Sequence, residues 1–140
     1  MKRITLLLTL TIMTVFANAQ TPEDYHRLQL AVESYVQAGD SHDLETLHQL
    51  LNSSYRVTMN NQQAGQVMTF SRADYLAKIK SKEWGGDNRT LEILSIDVYD
   101  GSTAVVKVAL NGKLKMRNYL SFVNTAQGWQ IAQDLVFVGS

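Results

Sequence analysis

Asn118 is the polar residue whose position points most directly to chemistry. It stands between Met116 and Leu120 in an alternating stretch, so a strand would turn its amide toward the apolar face together with Phe122. A buried amide needs a hydrogen-bond partner, because leaving it unpaired costs roughly 1–3 kcal/mol. We therefore interpret Asn118 either as a structural asparagine bonded within the protein or as the residue that orients a ligand.

Aromatic residues could complete a pocket around this amide. Tyr25 and Tyr35 lie on the apolar stripe of a predicted helix, where each phenol either packs in the core or lines a pocket. Trp84, in a glycine-containing loop, is either a lid over the pocket or a plug between helix and sheet. The residues predicted to form the pocket wall are Tyr35, Met116, Asn118, Leu120 and Phe122.

Acid–base catalysis would require a carboxylate that faces the same pocket. Alternation predicts that the strand acids Asp97 and Asp134 both lie on the face opposite the apolar residues, and Asp40 is interpreted as a helix cap. The three histidines do not stand at the spacing of metal ligands. The sequence therefore predicts no catalytic residue, no cofactor and no metal site.

The composition fits one globular domain and excludes several classes of protein. The chain has 140 residues, 45% of them hydrophobic, with 13 Lys+Arg against 13 Asp+Glu and no cysteine. A net charge of zero argues against nucleic-acid binding. Without cysteine there is no disulfide framework and no thiol nucleophile.

The first 19 residues have the three-part pattern of a secretory signal peptide. Lys2 and Arg3 precede an apolar run over 4–16, and Ala17-Asn18-Ala19 forms a small-residue cleavage site. We expect export to the periplasm or exterior of a bacterium. The apolar run is shorter than the roughly 20 residues that cross a bilayer, so we expect no membrane partner after cleavage, although a retained anchor is the alternative.

Three helices are predicted in the remaining chain. The first opens at Thr21-Pro22 and ends at Gly39, and Asp40 or Ser41 caps the second. The third begins at a capping box, Ser71-Arg72-Ala73-Asp74, and two short strands are predicted before it, over 55–60 and 67–70.

The last third of the chain predicts an antiparallel meander of four long strands. Hairpin turns are indicated at Asp100-Gly101, Asn111-Gly112 and Gln127-Gly128. Because one sheet face is apolar, the helices must cover it, and the class is α+β. The residues predicted on the covered face include Leu94, Ile96 and Val98, then Leu114, Met116, Leu120 and Phe122, and finally Trp129, Ile131, Leu135 and Phe137.

This order of elements resembles the NTF2-like (SnoaL-like) cone fold and, within it, the putative lumazine-binding family. Residues 35–40 (Tyr-Val-Gln-Ala-Gly-Asp), 118–122 (Asn-Tyr-Leu-Ser-Phe) and 128–131 (Gly-Trp-Gln-Ile) carry the resemblance, which spans nearly the whole chain after residue 19. It implies a curved sheet around a helix with an apolar pocket, and a homodimer through the outer sheet face. The family often has aspartate at position 118 and a basic residue at position 134, so Asn118 weakens a general-base role there.

We therefore expect residues 20–140 to form a single exported NTF2-like domain. It would bind a small, mostly apolar molecule in the cone pocket without catalysis, with Asn118 fixing the orientation. One alternative is a ketosteroid-isomerase-like acid/base enzyme, which requires an inward carboxylate or histidine with a perturbed pKa. Another is a dimeric interaction module without a ligand, with Val105, Tyr119, Val123, Val136 and Val138 on its outer face.

Overall fold

Helices precede and then flank a six-stranded sheet, as the sequence predicts. The computed structural model describes residues 21–139, and the predicted signal peptide lies outside them. In chain order the elements are α1 (Pro22–Ser41), α2 (Leu44–Leu50), β1 (Leu51–Asn61), β2 (Gln66–Ser71), α3 (Arg72–Lys80), β3 (Thr90–Tyr99), β4 (Thr103–Asn111), β5 (Lys115–Thr125) and β6 (Gly128–Gly139).

The strands form one curved, unclosed sheet in the order β2-β1-β6-β5-β4-β3. The three predicted hairpins join β3 to β6, and all neighbours are antiparallel except β1 and β6, which run parallel. The last strand is therefore internal and connects the β3–β6 meander to the N-terminal strands β1 and β2. The α+β class is confirmed.

The predicted helix boundaries need two corrections. α1 continues through Gly39 to Ser41 and ends at His42, whose φ of 58° is left-handed. Gly39 instead allows the Arg89 side chain to pack closely against α1, since a Cβ there would lie 3.2 Å from Arg89 Nη2. The cap of α2 is Asp43, whose carboxylate accepts from the backbone N–H of Thr46 at 3.1 Å.

The third helix begins as predicted. Ser71 accepts from the backbone N–H of Asp74, and the Asp74 carboxylate accepts from the backbone N–H of Ser71, which completes a capping box.

A bulge in β6 reverses the predicted orientation of its second half. Ser121 pairs with Gln133 while Phe122 pairs with Ile131, which leaves Ala132 as the additional residue. Because side chains alternate, one extra residue exchanges the two faces. The prediction that Leu135 and Phe137 face the core is wrong, since they are 50% and 38% exposed, whereas Asp134 is 3% exposed.

A second bulge, in β3, removes Leu94 from the predicted face, while Ile96 and Val98 keep theirs. Ile93 pairs with Val108 and Ser95 pairs with Lys107, so Leu94 stands outside the regular register. Leu94 is 42% exposed, contrary to prediction, and Ile93 packs against the core. Leu114 was also predicted on the covered face, but it lies in the turn before β5 and is exposed.

The core lies between α1 and the concave face of the sheet. Leu28 and Val32 of α1 are fully buried in one cluster with Val106, Leu120 and Phe122 of the sheet. None of the helices within residues 21–139 is both long and apolar enough to cross a membrane.

Candidate functional site

A cavity of about 300 Å³ lies beside this core. Its walls come from α1, α3, β1, β5, β6 and the segment 81–89, which we call the 81–89 loop. Its inner end is lined by the buried residues Tyr35, Asn118 and Asp134, and its rim by the exposed Glu83 and Lys113. The cavity therefore runs from a buried polar end to the protein surface.

Four side chains at or next to the polar end form one hydrogen-bonded network, which we call the Asp134 cluster. The Tyr35 hydroxyl donates to Asp134 Oδ2 at 2.9 Å and lies 2.8 Å from the Tyr55 hydroxyl. Asn118 Nδ2 donates to Asp134 Oδ1 at 2.9 Å and Oδ2 at 3.0 Å. Since Tyr35 has a single hydroxyl proton, which goes to the carboxylate, Tyr55 must donate to the Tyr35 oxygen.

Asn118 retains one unused hydrogen-bonding atom. The prediction that its amide faces the covered side is confirmed, since the residue is 3% exposed. While its nitrogen donates to Asp134, its buried Oδ1 has no hydrogen-bond partner among residues 21–139. A buried acceptor without a donor is costly, so this oxygen favours a donor arriving through the cavity.

Asp134 is an inward carboxylate that the sequence analysis placed on the wrong face. Burial raises its pKa from 3.8 to about 6, although the hydrogen bonds from Tyr35 and Asn118 and the charge of Arg89 act in the opposite direction. The bulge at Ala132 places this residue on the inner face, because the additional residue exchanges the two faces of β6. Strict alternation along β6 does not predict such a bulge. The pocket therefore contains the perturbed carboxylate expected of an acid–base site.

The surrounding phenols remain protonated at neutral pH. Burial, with the nearby Asp134 charge as a smaller cause, raises the pKa values of Tyr35 and Tyr55 well above 10. Burial raises the pKa of Tyr75 to about 12. Tyr35 therefore donates to the carboxylate and Tyr55 donates to Tyr35, and neither phenol acts as a base.

Trp84 forms part of the cavity wall. Its ring centroid lies 4.9 Å from that of Phe70 and 6.0 Å from that of Tyr75. Lys78 Nζ lies 5.2 Å from the Trp84 centroid and bonds to Glu83 at 2.7 Å. The indole is thus half-buried between α3 and β2 while it borders the cavity.

Glycine is required where the 81–89 loop meets the end of α1. Gly85 has a φ of 82°, and a Cβ there would collide with the backbone oxygen of Gly39. Gly86 N–H donates to the backbone oxygen of Asp40 at 3.0 Å, and His42 Nε2 lies 3.1 Å from the backbone oxygen of Trp84. These contacts hold Trp84 at the cavity.

An ion pair fixes the end of the same loop. Arg89 Nε lies 2.6 Å from Asp40 Oδ1, and the Arg89 backbone N–H donates to Asp40 Oδ2 at 3.1 Å. Arg89 Nη2 also donates to the backbone oxygen of Val36 at 3.3 Å. The interpretation of Asp40 as a helix cap is therefore wrong, since its carboxylate binds the loop.

Three of the five predicted wall residues line the cavity, namely Tyr35, Met116 and Asn118. Leu120 and Phe122 share the face of Asn118 but lie further along β5, inside the hydrophobic core with α1, and do not line the cavity. Sequence reasoning missed Asp134 as an inward residue and Tyr55 and Tyr75 as its neighbours. Within residues 21–139, no group of three or more histidines or acids is placed to hold a metal ion.

Comparison with known families gives one match. Residues 23–135 match the family described as putative lumazine-binding. No protein among the curated sequences matches the chain.

Solved structures with a similar fold include NTF2-like proteins. An NTF2-like protein of unknown function from Silicibacter pomeroyi has a TM-score of 0.74 at 19% identity, covering 84% of this chain and 97% of that one. One from Methylobacillus flagellatus has a TM-score of 0.73 at 13% identity, covering 86% and 95%. A ketosteroid isomerase-like protein from Erwinia carotovora atroseptica has a TM-score of 0.68 at 14% identity, covering 86% and 99%. These similarities establish the NTF2-like fold.

The raised pKa of Asp134 predicts how stability depends on pH. Because the folded pKa of about 6 exceeds the ordinary value of 3.8, the folded protein binds the proton more tightly. This contribution to stability is complete below about pH 4 and is lost as the pH rises through 6. At about 1.4 kcal/mol per pKa unit, the loss is about 3 kcal/mol.

Urea unfolding at low and neutral pH measures this loss. Asp134→Asn should remove this loss. Between pH 4.5 and pH 7.5 the free energy of unfolding of the wild type should therefore fall by roughly 2 kcal/mol relative to that of the variant. The exposed Asp97→Asn is the matched control and should follow the wild type. Equal pH dependence in Asp134→Asn and wild type would contradict the assignment.

Proposed function

The chain belongs to the putative lumazine-binding family, and on that premise we propose that its NTF2-like domain binds a small, mostly apolar molecule in the cavity. The observation that carries the proposal is Asn118 Oδ1, a buried acceptor without a partner among the described residues, on a residue that lines the cavity. A ligand that donates a hydrogen bond to it would remove the cost of the unpaired oxygen.

The shape and lining of the cavity support the same proposal. At about 300 Å³ it lies at the lower end of the range for small-molecule sites, which is roughly 300–1,000 Å³. Most of the wall is apolar. Its buried polar residues are Tyr35, Asn118 and Asp134, whereas the charged Glu83, Asp87, Arg89 and Lys113 line its less buried part. The apolar and aromatic wall residues include Val57, Met59, Tyr75, Ile79, Trp84, Met116 and Val136.

A thermal-shift screen of small molecules tests ligand binding. At 100 times its dissociation constant, a bound compound should raise the free energy of unfolding by about 2.7 kcal/mol. Met116→Trp should cancel the shift, because the larger side chain occupies the cavity. Met68→Trp, on the exposed β2 strand away from the cavity, is the matched control and should keep it. Failure of a broad set to shift the wild type, or an undiminished shift in Met116→Trp, would exclude this site.

Acid–base chemistry is the second candidate, and the inward Asp134 favours it. With its pKa raised to about 6, the carboxylate has the basicity of a general base that works near neutral pH. Tyr35 and Asn118, however, both direct their protons at Asp134 itself, so neither is free to stabilise a developing oxyanion. Ligand binding is therefore the better-supported function.

Deuterium exchange separates binding from catalysis. If Asp134 is a base, the wild type should accelerate exchange at an acidic C–H of a bound screening compound in D₂O, with a rate that rises as the pH passes 6. Asp134→Asn should bind the compound but lose the acceleration, measured by NMR. No exchange with any bound compound would reject this candidate and leave binding intact.

We also propose a homodimer through an outer patch of the sheet, defined as Val105, Tyr119, Leu135 and Phe137. All four are exposed, and Tyr119 pairs directly with Leu135 across β5 and β6. Alternation along β6 predicts Val136 and Val138 on this face, but the β6 bulge buries them on the other face, and Leu135 and Phe137 take their place. Contiguous exposed apolar side chains favour self-association.

Sedimentation velocity at micromolar concentration tests this patch. Leu135→Asp should convert the dimer to a monomer, because a charge at the centre of an apolar interface must be desolvated. Leu94→Asp, at an exposed leucine of similar accessibility outside the patch, is the control and should leave the dimer intact. A monomeric wild type would overturn the proposal.

Export is likewise proposed here. Its support is the basic, apolar and small-residue pattern of residues 1–19. The binding domain would then act in the periplasm or outside the cell.

A further inference from the structure

We propose that the ligand is an organic amine, bound as a protonated cation with its N–H donors at the Asp134 cluster and its apolar body toward the rim. This inference rests on the proposed function, because it assigns a ligand class to the same cavity. It is carried by three properties of the polar end: its unused atoms are acceptors, its charge is uncompensated, and its neighbours are aromatic.

The unused hydrogen-bonding capacity at the polar end is all acceptor capacity. A carboxylate offers about four acceptor positions, and Asp134 receives two hydrogen bonds at Oδ2 but only one at Oδ1. Asn118 Oδ1 accepts none from the described residues. The donors of Tyr35 and Asn118 point at the carboxylate. A ligand head at this end must therefore donate hydrogen bonds, and an ammonium group has up to three donors.

The charge of Asp134 lacks a cationic partner. The ion pairs within residues 21–139 join Arg27 to Glu23, Lys78 to Glu83 and Arg89 to Asp40, and none includes Asp134. Arg89 acts on it only as a weak, more distant charge, after burial and hydrogen bonding. A buried carboxylate without a counterion is unfavourable, so a cationic ligand would supply the missing charge.

Aromatic rings surround the same space. Tyr35, Tyr75 and Trp84 all line the cavity, with centroid separations of 6.2 Å between the two tyrosines and 6.0 Å between Tyr75 and Trp84. A cation within about 6 Å of such rings is attracted by their electron-rich faces. An anionic head at the Asp134 cluster would instead meet a like charge and unused acceptors. Of the two cations that line the cavity, Arg89 is paired with Asp40 and Lys113 lies at the exposed rim.

Four probes with a common phenylpropyl body separate the contributions in isothermal titration calorimetry. They are 3-phenylpropylamine, its N,N,N-trimethyl quaternary analogue, 3-phenylpropan-1-ol and 4-phenylbutanoate. We expect the amine to bind at least tenfold more tightly than the alcohol, which lacks the charge, and the quaternary analogue, which lacks N–H donors. The carboxylate should bind most weakly.

Substitutions locate the binding of the amine. Asp134→Asn should weaken the amine at least tenfold and change alcohol affinity less than threefold, so that alcohol binding also shows the cavity to be intact. Asp97→Asn is the matched control and should change neither. Met116→Trp should abolish both.

The affinity for the amine should also rise between pH 5 and pH 7, as Asp134 ionises. The titratable and charged groups that interact with it are Tyr35 from α1, Tyr55 from β1, Tyr75 from α3 and Arg89 from the 81–89 loop, which is itself paired with Asp40. Glu83, Asp87 and Lys113 also line the cavity. The tyrosines have raised pKa values and stay neutral over this range. Asp134→Asn should abolish the pH dependence.

The outcomes distinguish this inference from the proposed function. Two results would overturn the amine assignment and leave the ligand site in place. One is tighter binding of the alcohol or carboxylate than of the amine, and the other is cavity-dependent binding of screening compounds without binding of the amine. Amine binding that is unaffected by Asp134→Asn or Met116→Trp also overturns it. If neither the probes nor the screening compounds bind, both proposals fall.

Discussion

Burying a carboxylate beside an apolar cavity constrains everything around it. Asp134 is stable there only because neighbouring side chains supply hydrogen-bond donors, and those donors come from distant parts of the chain: Tyr35 from α1, Asn118 from β5, and Tyr55 behind Tyr35 from β1. Even with these bonds, burial raises its pKa to about 6, so the charge remains incompletely compensated. The hydrogen bonds fix the positions of Tyr35 and Asn118, and those positions define the inner end of the cavity.

The 81–89 loop completes the opposite side by a different means. Trp84 packs against Phe70 and Tyr75, while the Asp40–Arg89 ion pair, the backbone contacts of Gly86 and the space left by Gly85 hold the loop against the end of α1. The ion pair is mostly shielded from solvent and uses both the side chain and the backbone of Arg89, so it positions the loop more firmly than an exposed pair would. Trp84 is thereby kept on the cavity wall.

Local sequence signals predicted the fold well and the site only in part. Hairpin turns at Asp100-Gly101 and Asn111-Gly112 and the capping box at Ser71 depend on neighbouring residues, and the structure has all three. Alternation also placed Asn118 correctly, because β5 is regular from Lys115 to Ser121. It failed for Asp134 because one extra residue at Ala132 exchanges the faces of β6, and no glycine or proline marks that position. The Asp40–Arg89 pair joins residues far apart in sequence, which pattern reasoning along the chain does not detect.

The parallel pairing of β1 with β6 has a consequence for how the domain forms. The Tyr35–Asp134 hydrogen bond joins residues 99 positions apart, and β1 meets β6 only after every intervening element has been traversed. Such non-local contacts bear the entropy of closing a long loop and slow the folding of small domains. Local structure such as the β3–β4 hairpin or α1 alone therefore cannot form the assembled polar end. The proposed ligand site is therefore complete only in the fully closed chain, so a molecule bound there would stabilise the folded state against unfolding.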